Sequence, residues 1–281
     1  MNIVFWNTNC IRSNEIKFDV ITESILDIVN ENNVDLLILA EYTPDINRLC
    51  HMANIASRKQ FKPLQSLNGN TRIYGLIRSN YKVEHLQDHE CYMIIKILTN
   101  TYTLIIAMIH GVSKLHYRDK DQEALMRMFH SDIAVYENMH TCKNTIAIGD
   151  FNVNPFELAC IDADCMHAIP FPEEVKNPSR KVIIGEKLKF YNPTWKFMGK
   201  RNPPYTTYHY SADGRLGNFY WNAFDQVLIR PSLIKAFNES TFSIITQTKN
   251  HSLINRTQKP NKLNYSDHLP LFCVIKEDLI L

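Results

Sequence analysis

The chain has 281 residues, 45% of them apolar and 21% charged, with a formal charge of +2. That composition supports a large buried core and excludes a disordered or collagen-like chain. The near-neutral balance neither demands nor forbids an anionic partner, so any affinity for nucleic acid has to come from local clusters of charge.

In chain order, Asn2 to Trp6 is a β-branched and aromatic run that ends in Asn7-Thr8-Asn9, the pattern of a strand that delivers polar side chains at its C-terminal end. Ile16, Val20, Ile21, Ile25, Ile28 and Val29 recur every three or four residues and predict a helix over Ile16 to Val29. Asp35 to Ala40 is nearly all apolar and too short for a helix, which predicts a strand buried on both faces and stopping at Glu41. A second helix is expected near Asp45 to Ser57, then strands over Ile73 to Arg78, Cys91 to Leu98 and Tyr102 to Ile109, the last ending at His110.

Arg118 to His140 carries Leu125, Met128, Phe129, Ile133, Val135 and Tyr136 among charges and reads as a surface-packed helix. Thr145 to Ile148 is a strand presenting Gly149-Asp150-Phe151-Asn152. Asn218 to Ile229 holds Asp225 within a strand pattern, and Leu269 to Ile275 is a final strand after Ser266-Asp267-His268. The six prolines between Ala159 and Tyr220 predict a long irregular surface excursion at about 159–220. No linker divides the chain, so residues 1–281 are expected to form one α+β domain of layered, mixed sheets.

Seven scattered cysteines, an odd number with no CxxC pair, argue against a disulfide framework or a zinc site. The first apolar run is too short for a signal-peptide core, and no run approaches the ~18 residues of a membrane span. A cytoplasmic location is expected.

Acidic, amide and imidazole residues recur where strands end: Asn7, Glu41, His110, Asp150 with Asn152, and Asp267 with His268. Strand ends on one rim converge in space. Carboxylates there suit a divalent cation that keeps waters for a phosphate oxygen, with Glu41, Asp267 and Asn7 as the candidate ligands. Asp150 suits a water-activating role, Asn152 a phosphate-facing amide, and His268 a proton carrier supported by Asp225.

This set, in this order, resembles the endonuclease/exonuclease/phosphatase superfamily along the whole chain. The resemblance implies a four-layered α/β/β/α sandwich with two packed mixed sheets, and hydrolysis of phosphoesters dependent on Mg²⁺ or Mn²⁺. His110 is similar to a histidine of the deoxyribonuclease-I-like and inositol-phosphatase-like branches, which leans away from a base-excision enzyme. Two features depart from the pattern. Gln226 stands where an aromatic or histidine usually follows the supporting aspartate, and no acidic residue is evident as a partner for His110.

For the substrate, the excursion interleaves cations such as Lys196 and Arg201 with aromatics such as Trp195, the parts of a nucleic-acid groove. Arg72 and Arg118 are further candidates for phosphate contact. The leading expectation is a nuclease acting on DNA or RNA. A phosphatase acting on inositol phosphates or another small phosphoester, and a catalytically silent binding module, are the alternatives.

Overall fold

The structure is a computed structural model that describes residues 1–10, 15–67, 72–211 and 218–280. Its first half runs β1 (Asn2–Asn7), α1 (Glu15–Glu31), β2 (Leu36–Ala40), α2 (Ile46–Ala56), β3 (Phe61–Gln65), β4 (Ile73–Arg78), β5 (Lys82–Asp88), β6 (Tyr92–Leu98), β7 (Thr103–His110), α3 (Asp119–Met139) and β8 (Thr145–Asp150). There follow α4 (Leu158–Ile161), β9 (Ala168–Ile169), β10 (Ser179–Val182), β11 (Gly185–Leu188), β12 (Phe190–Tyr191), α5 (Trp195–Met198), β13 (Tyr208–His209) and β14 (Trp221–Asn222). The chain closes with β15 (Asp225–Ile229), β16 (Ser243–Ile244) and β17 (Leu271–Val274).

Two mixed sheets dominate, one of six strands in the order β16-β17-β1-β2-β4-β3 and one of seven in the order β5-β6-β7-β8-β15-β12-β9. The central strands are apolar on both faces, and their period of two divides each between two cores. Ile3 and Phe5 of β1 face the seam between the sheets, where they join Met108, Ile146, Ile148 and Val227. Val4 and Trp6, one residue out of step, pack with Ile21, Ile25 and Leu49 of the helices α1 and α2. On the far side, Ile105, Ala107 and Leu228 meet Met126, Phe129 and Ile133 of α3. The result is an α/β/β/α sandwich.

In α3 the inward face carries Met126, while Met128 and Val135 point outward, because 100° per residue places 126, 129 and 133 on one stripe. Two edge strands escape the sequence pattern. β3 contains Pro63, which an edge tolerates because one side of its backbone needs no partner. β5 carries charges and a bulge between His85 and Gln87, and only its β6 side is paired.

The stretch 159–220 is less irregular and less superficial than its prolines suggest; 212–217 lie outside the described residues. β12 joins the seven-stranded sheet beside β15, and β9 extends that sheet. The side chains of Asn192 and Thr194 anchor this segment from within: Asn192 Nδ2 donates to Gln226 Oε1 at 2.8 Å, and the Val227 N–H donates to Thr194 Oγ1 at 3.2 Å.

Beneath the excursion lies a buried histidine, His130, whose Nδ1 is 2.5 Å from the Cys165 carbonyl oxygen and whose Nε2 has no partner among the described residues. Burial, reinforced by the charge of Arg230, pushes its pKa down to about 3, and burial also pushes His167 down to about 4. Both imidazoles are neutral in the fold, whereas the unfolded chain protonates them below their ordinary value of about 6.5. The unfolded state therefore binds more protons as the pH falls from 6.5 toward 4, and stability drops across that window. His130 alone should cost up to roughly 1.4 kcal/mol per pH unit there. Urea unfolding between pH 7.5 and 4.5 measures this slope. His130→Phe should flatten it, and an unchanged slope in that variant would reject the assignment.

Candidate active site

At one end of the sandwich the two sheets present their polar termini to each other. β1 and β2 run parallel and finish together, and β17 is antiparallel to β1, so the residues before it start at the same end. In the other sheet β7 and β8 finish together with His110 beside Asp150, and antiparallel β15 opens with Asp225 opposite Asp150. Gly149 permits the close packing of β7 on β8: its φ is 154°, and a Cβ there would lie 1.9 Å from the Ile109 carbonyl oxygen.

Three bonded pairs then close across the gap, each with one member on each sheet. Asn7 Nδ2 donates to Asp150 Oδ2 at 2.9 Å. His110 Nε2 lies 3.3 Å from Glu41 Oε1, so the missing acidic partner of His110 is Glu41. His268 Nδ1 lies 2.8 Å from Asp225 Oδ2 and 3.1 Å from Oδ1.

The surroundings fix these groups. Ser266 Oγ donates to the Asn7 carbonyl at 2.7 Å and accepts the His268 N–H at 3.0 Å, while the Trp6 indole donates to the His268 carbonyl at 3.0 Å. Asn152 N donates to Asp150 Oδ1 at 2.8 Å, and Asn152 Nδ2 to the Gly111 carbonyl at 3.0 Å. Asn9 Nδ2 donates to Asp267 Oδ1 at 2.9 Å. Glu41 and Asn152 both sit at φ 54°, a left-handed conformation that is uncommon outside glycine and concentrates at functional sites.

Charge follows geometry. Desolvation acts to lower the pKa of His268, but the charge and hydrogen bond of Asp225, with Asp150 and Asp267, override it and lift the imidazole to about 10. Burial raises Asp150, against the charge of His268. Burial also works to raise Glu41, yet the hydrogen bond and charge of His110, with His268 and Arg72, hold its carboxyl below the usual range. The ligand atoms of Asp150, Asp225 and His268 lie within 4.8 Å of one another, a compact acidic group of the kind that can hold a metal ion.

A cleft of about 970 Å³ opens over this floor and is lined by Asn7, Glu41, His110, Asp150, Asn152, Asp267 and His268. No family model matches the chain, and no curated protein does. Solved structures do. A truncated TDP2 from Caenorhabditis elegans matches with a TM-score of 0.62 at 15% identity, over 98% of this chain and 96% of that one. The 3′ phosphatase NExo from Neisseria, bound to a product DNA hairpin, matches at 0.56 and 15%, over 98% and 99%. The endonuclease domain of TRAS1, a telomere-specific non-LTR retrotransposon, matches at 0.53 and 8%, over 98% of each.

The chain has the fold of the endonuclease/exonuclease/phosphatase superfamily. Within this deoxyribonuclease-I-like sandwich, Arg72 lines the cleft, 4.0 Å from Glu41. The other substrate candidates stand apart from it: the described lining residues do not include Arg118, Trp195, Lys196 or Arg201. Arg118 caps α3 and pairs with Asp121. Lys196 donates to the Glu239 carbonyl at 2.8 Å and lies 5.3 Å from the centre of the Phe242 ring. Trp195 opens α5, immediately after the anchored Asn192 and Thr194.

Gln226 is buried behind the cleft, where its Nε2 donates to the Val153 carbonyl at 2.7 Å. It thereby ties the loop after Asn152 to the strand that carries Asp225. Tyr208 is a site residue that charge and spacing did not single out. Its ring is centred 4.5 Å from that of His268, and its segment bridges to His268 in antiparallel fashion. Nothing local in the sequence ties Tyr208 to a histidine sixty residues on.

Proposed function

We propose that the chain is a divalent-metal-dependent phosphodiesterase that cuts DNA or RNA. The observation that carries this reading is the floor of the cleft, where a carboxylate at Glu41, a buried carboxylate at Asp150 and an aspartate-supported His268 converge. The DNA hairpin of the Neisseria neighbour and the endonuclease named in the TRAS1 neighbour favour nucleic acid as the substrate.

Glu41 and Asp267, with Asn7, offer oxygen donors, which is the chemistry Mg²⁺ or Mn²⁺ requires. The group Asp150, Asp225 and His268 is less suited to such an ion, because His268 Nδ1 is already engaged by Asp225 and an imidazole is a poor ligand for a hard cation. A metal held by the oxygens of Glu41, Asp267 and Asn7 would supply Lewis-acid polarisation of a phosphoryl oxygen. Asp150 orients and deprotonates the attacking water, its carboxylate aligned by Asn7 and Asn152. Asn152 keeps a second amide hydrogen for a phosphate oxygen and adds no negative charge. His268 presents Nε2 to the charge that grows on phosphorus oxygens in the transition state, with Asp225 fixing its orientation and holding it protonated. His110, held by Glu41, adds a second donor. The unpaired thiols of all seven cysteines suit a reducing cytoplasm, and no helix among the described residues is long and apolar enough to cross a membrane.

Purified protein with Mg²⁺, Mn²⁺ or EDTA, assayed on plasmid, oligonucleotides, RNA and inositol phosphates, tests the reading. Cleavage of nucleic acid should require the metal and vanish in EDTA. Phosphate release from inositol phosphates without strand cleavage would point to the phosphatase alternative. No hydrolysis of any ester, with undiminished partner binding in Glu41→Ala, would leave a binding module.

A further inference from the structure

The segments that flank the end of β8 are unusually aromatic. One leaves β7 and the other enters β15, and β7 and β15 are the two strands that pair with β8, so these segments stand on either side of Asp150. From the β7 side, Leu115 and Tyr117 line the cleft, with Tyr117 51% exposed. From the β15 side come Tyr208, Tyr210 and Phe219, with Phe219 53% exposed and braced at 5.1 Å by the ring of Phe156. Tyr208 carries this aromatic surface to the edge of His268.

Exposed rings clustered around a polar, carboxylate-rich cleft mark a binding surface. Among the described residues that line the cleft, the lysines and arginines are Lys17, Arg72 and Lys114; Lys114 is paired with Glu157 and Asp119, and Arg72 lies 4.0 Å from Glu41. Affinity for a duplex comes mostly from phosphate contacts, whereas affinity for a single strand can come from stacking, worth about 1–3 kcal/mol per base. Bases inside a duplex have no free face to offer a tyrosine or phenylalanine.

Resting on the phosphodiesterase reading, we propose that this aromatic wall selects nucleic acid whose nucleotides beside the scissile phosphate are unpaired. Phe219 and Tyr117 then determine specificity by stacking on those bases, and the salt dependence of productive binding is shallow. With the three described lysines and arginines and the protonated His268, its log–log slope is no steeper than about −3.

The test measures kcat/KM in Mg²⁺ for single-stranded DNA and RNA, a blunt duplex of the same sequence and a strand lacking its bases. Hydrolysis of bis(4-nitrophenyl) phosphate is followed alongside. The single strand should be favoured over both the blunt duplex and the baseless strand by roughly 10-fold or more, the scale of one stacked base. Phe219→Ala and Tyr117→Ala should each raise KM for the single strand by roughly 5-fold or more, and Phe219→Trp should restore it. Both rings are exposed, so urea midpoints should stay at the wild-type value and exclude misfolding as the cause. Equal rates on strand and duplex, or on strand and baseless strand, with the small diester still cleaved, would overturn this proposal alone. Metal-dependent hydrolysis of no ester at all would overturn the phosphodiesterase reading first.

Discussion

His268→Ala should lower turnover of a phosphodiester by at least on the order of 10²-fold, the usual scale for losing a positioned proton-transfer group. The imidazole is buried, bonded through Nδ1 to Asp225, and 3.9 Å from Asp150 through Nε2, so alanine removes the donor and leaves two carboxylates facing one another without a cation. The carboxylates of Asp150 and Asp225 have oxygens within 4.8 Å of each other and repel, so Asp150 would then take up a proton and lose its value as a base. Asp150→Ala should cost at least as much, because it also releases Asn7 and Asn152 from their bonds. Steady-state rates in Mg²⁺ for purified variants with wild-type unfolding midpoints measure both effects. A near-wild-type rate in either folded variant rejects the role given to that residue.

The largest stability effect is expected far from the reacting end. Arg230 donates through Nε to Glu137 Oε1 at 2.7 Å and through a terminal nitrogen to Oε2 at 3.2 Å, and another nitrogen reaches the Lys189 carbonyl at 3.0 Å. The guanidinium lies 3.8 Å from the centre of the Phe190 ring, and both charged side chains are almost wholly buried. This pair fastens the end of α3 to the residue that follows β15 and to the anchored part of the excursion. Arg230→Ala leaves Glu137 buried without its main partner and should destabilise the fold by about 3–5 kcal/mol. The double variant Arg230→Met, Glu137→Leu should recover most of that loss, because it removes both desolvated charges together. Urea unfolding of the two single variants and the double variant decides the matter. A loss in Arg230→Ala below about 1 kcal/mol would mean that the pair contributes no more than a surface bridge.

Much of the sandwich was legible because its central elements obey a strong period. The helix α1 announced itself through Ile21, Ile25 and Ile28, all buried, and β2 through an unbroken apolar run. Candidate site residues were visible as polar side chains placed where such runs stop. The link between Glu41 and His110 was not, since β2 and β7 belong to different sheets and no spacing along the chain encodes how the sheets dock. The facing of the cations in 159–220 was not legible for a related reason. A lysine in a loop has no periodic pattern to say which way it faces, and Lys196 turns to the Glu239 carbonyl instead of the cleft. Aromatic residues such as Phe219 and Tyr117 were unremarkable as letters and gain meaning only from standing beside β8.

Asn7 with Asp150, Glu41 with His110, and His268 with Asp225 each draw one partner from either sheet. Neither half of the molecule holds the whole candidate centre. On the phosphodiesterase reading, a fragment retaining all of one sheet but lacking the other is inert however well it folds, and the return of activity during refolding times the moment at which the halves mate.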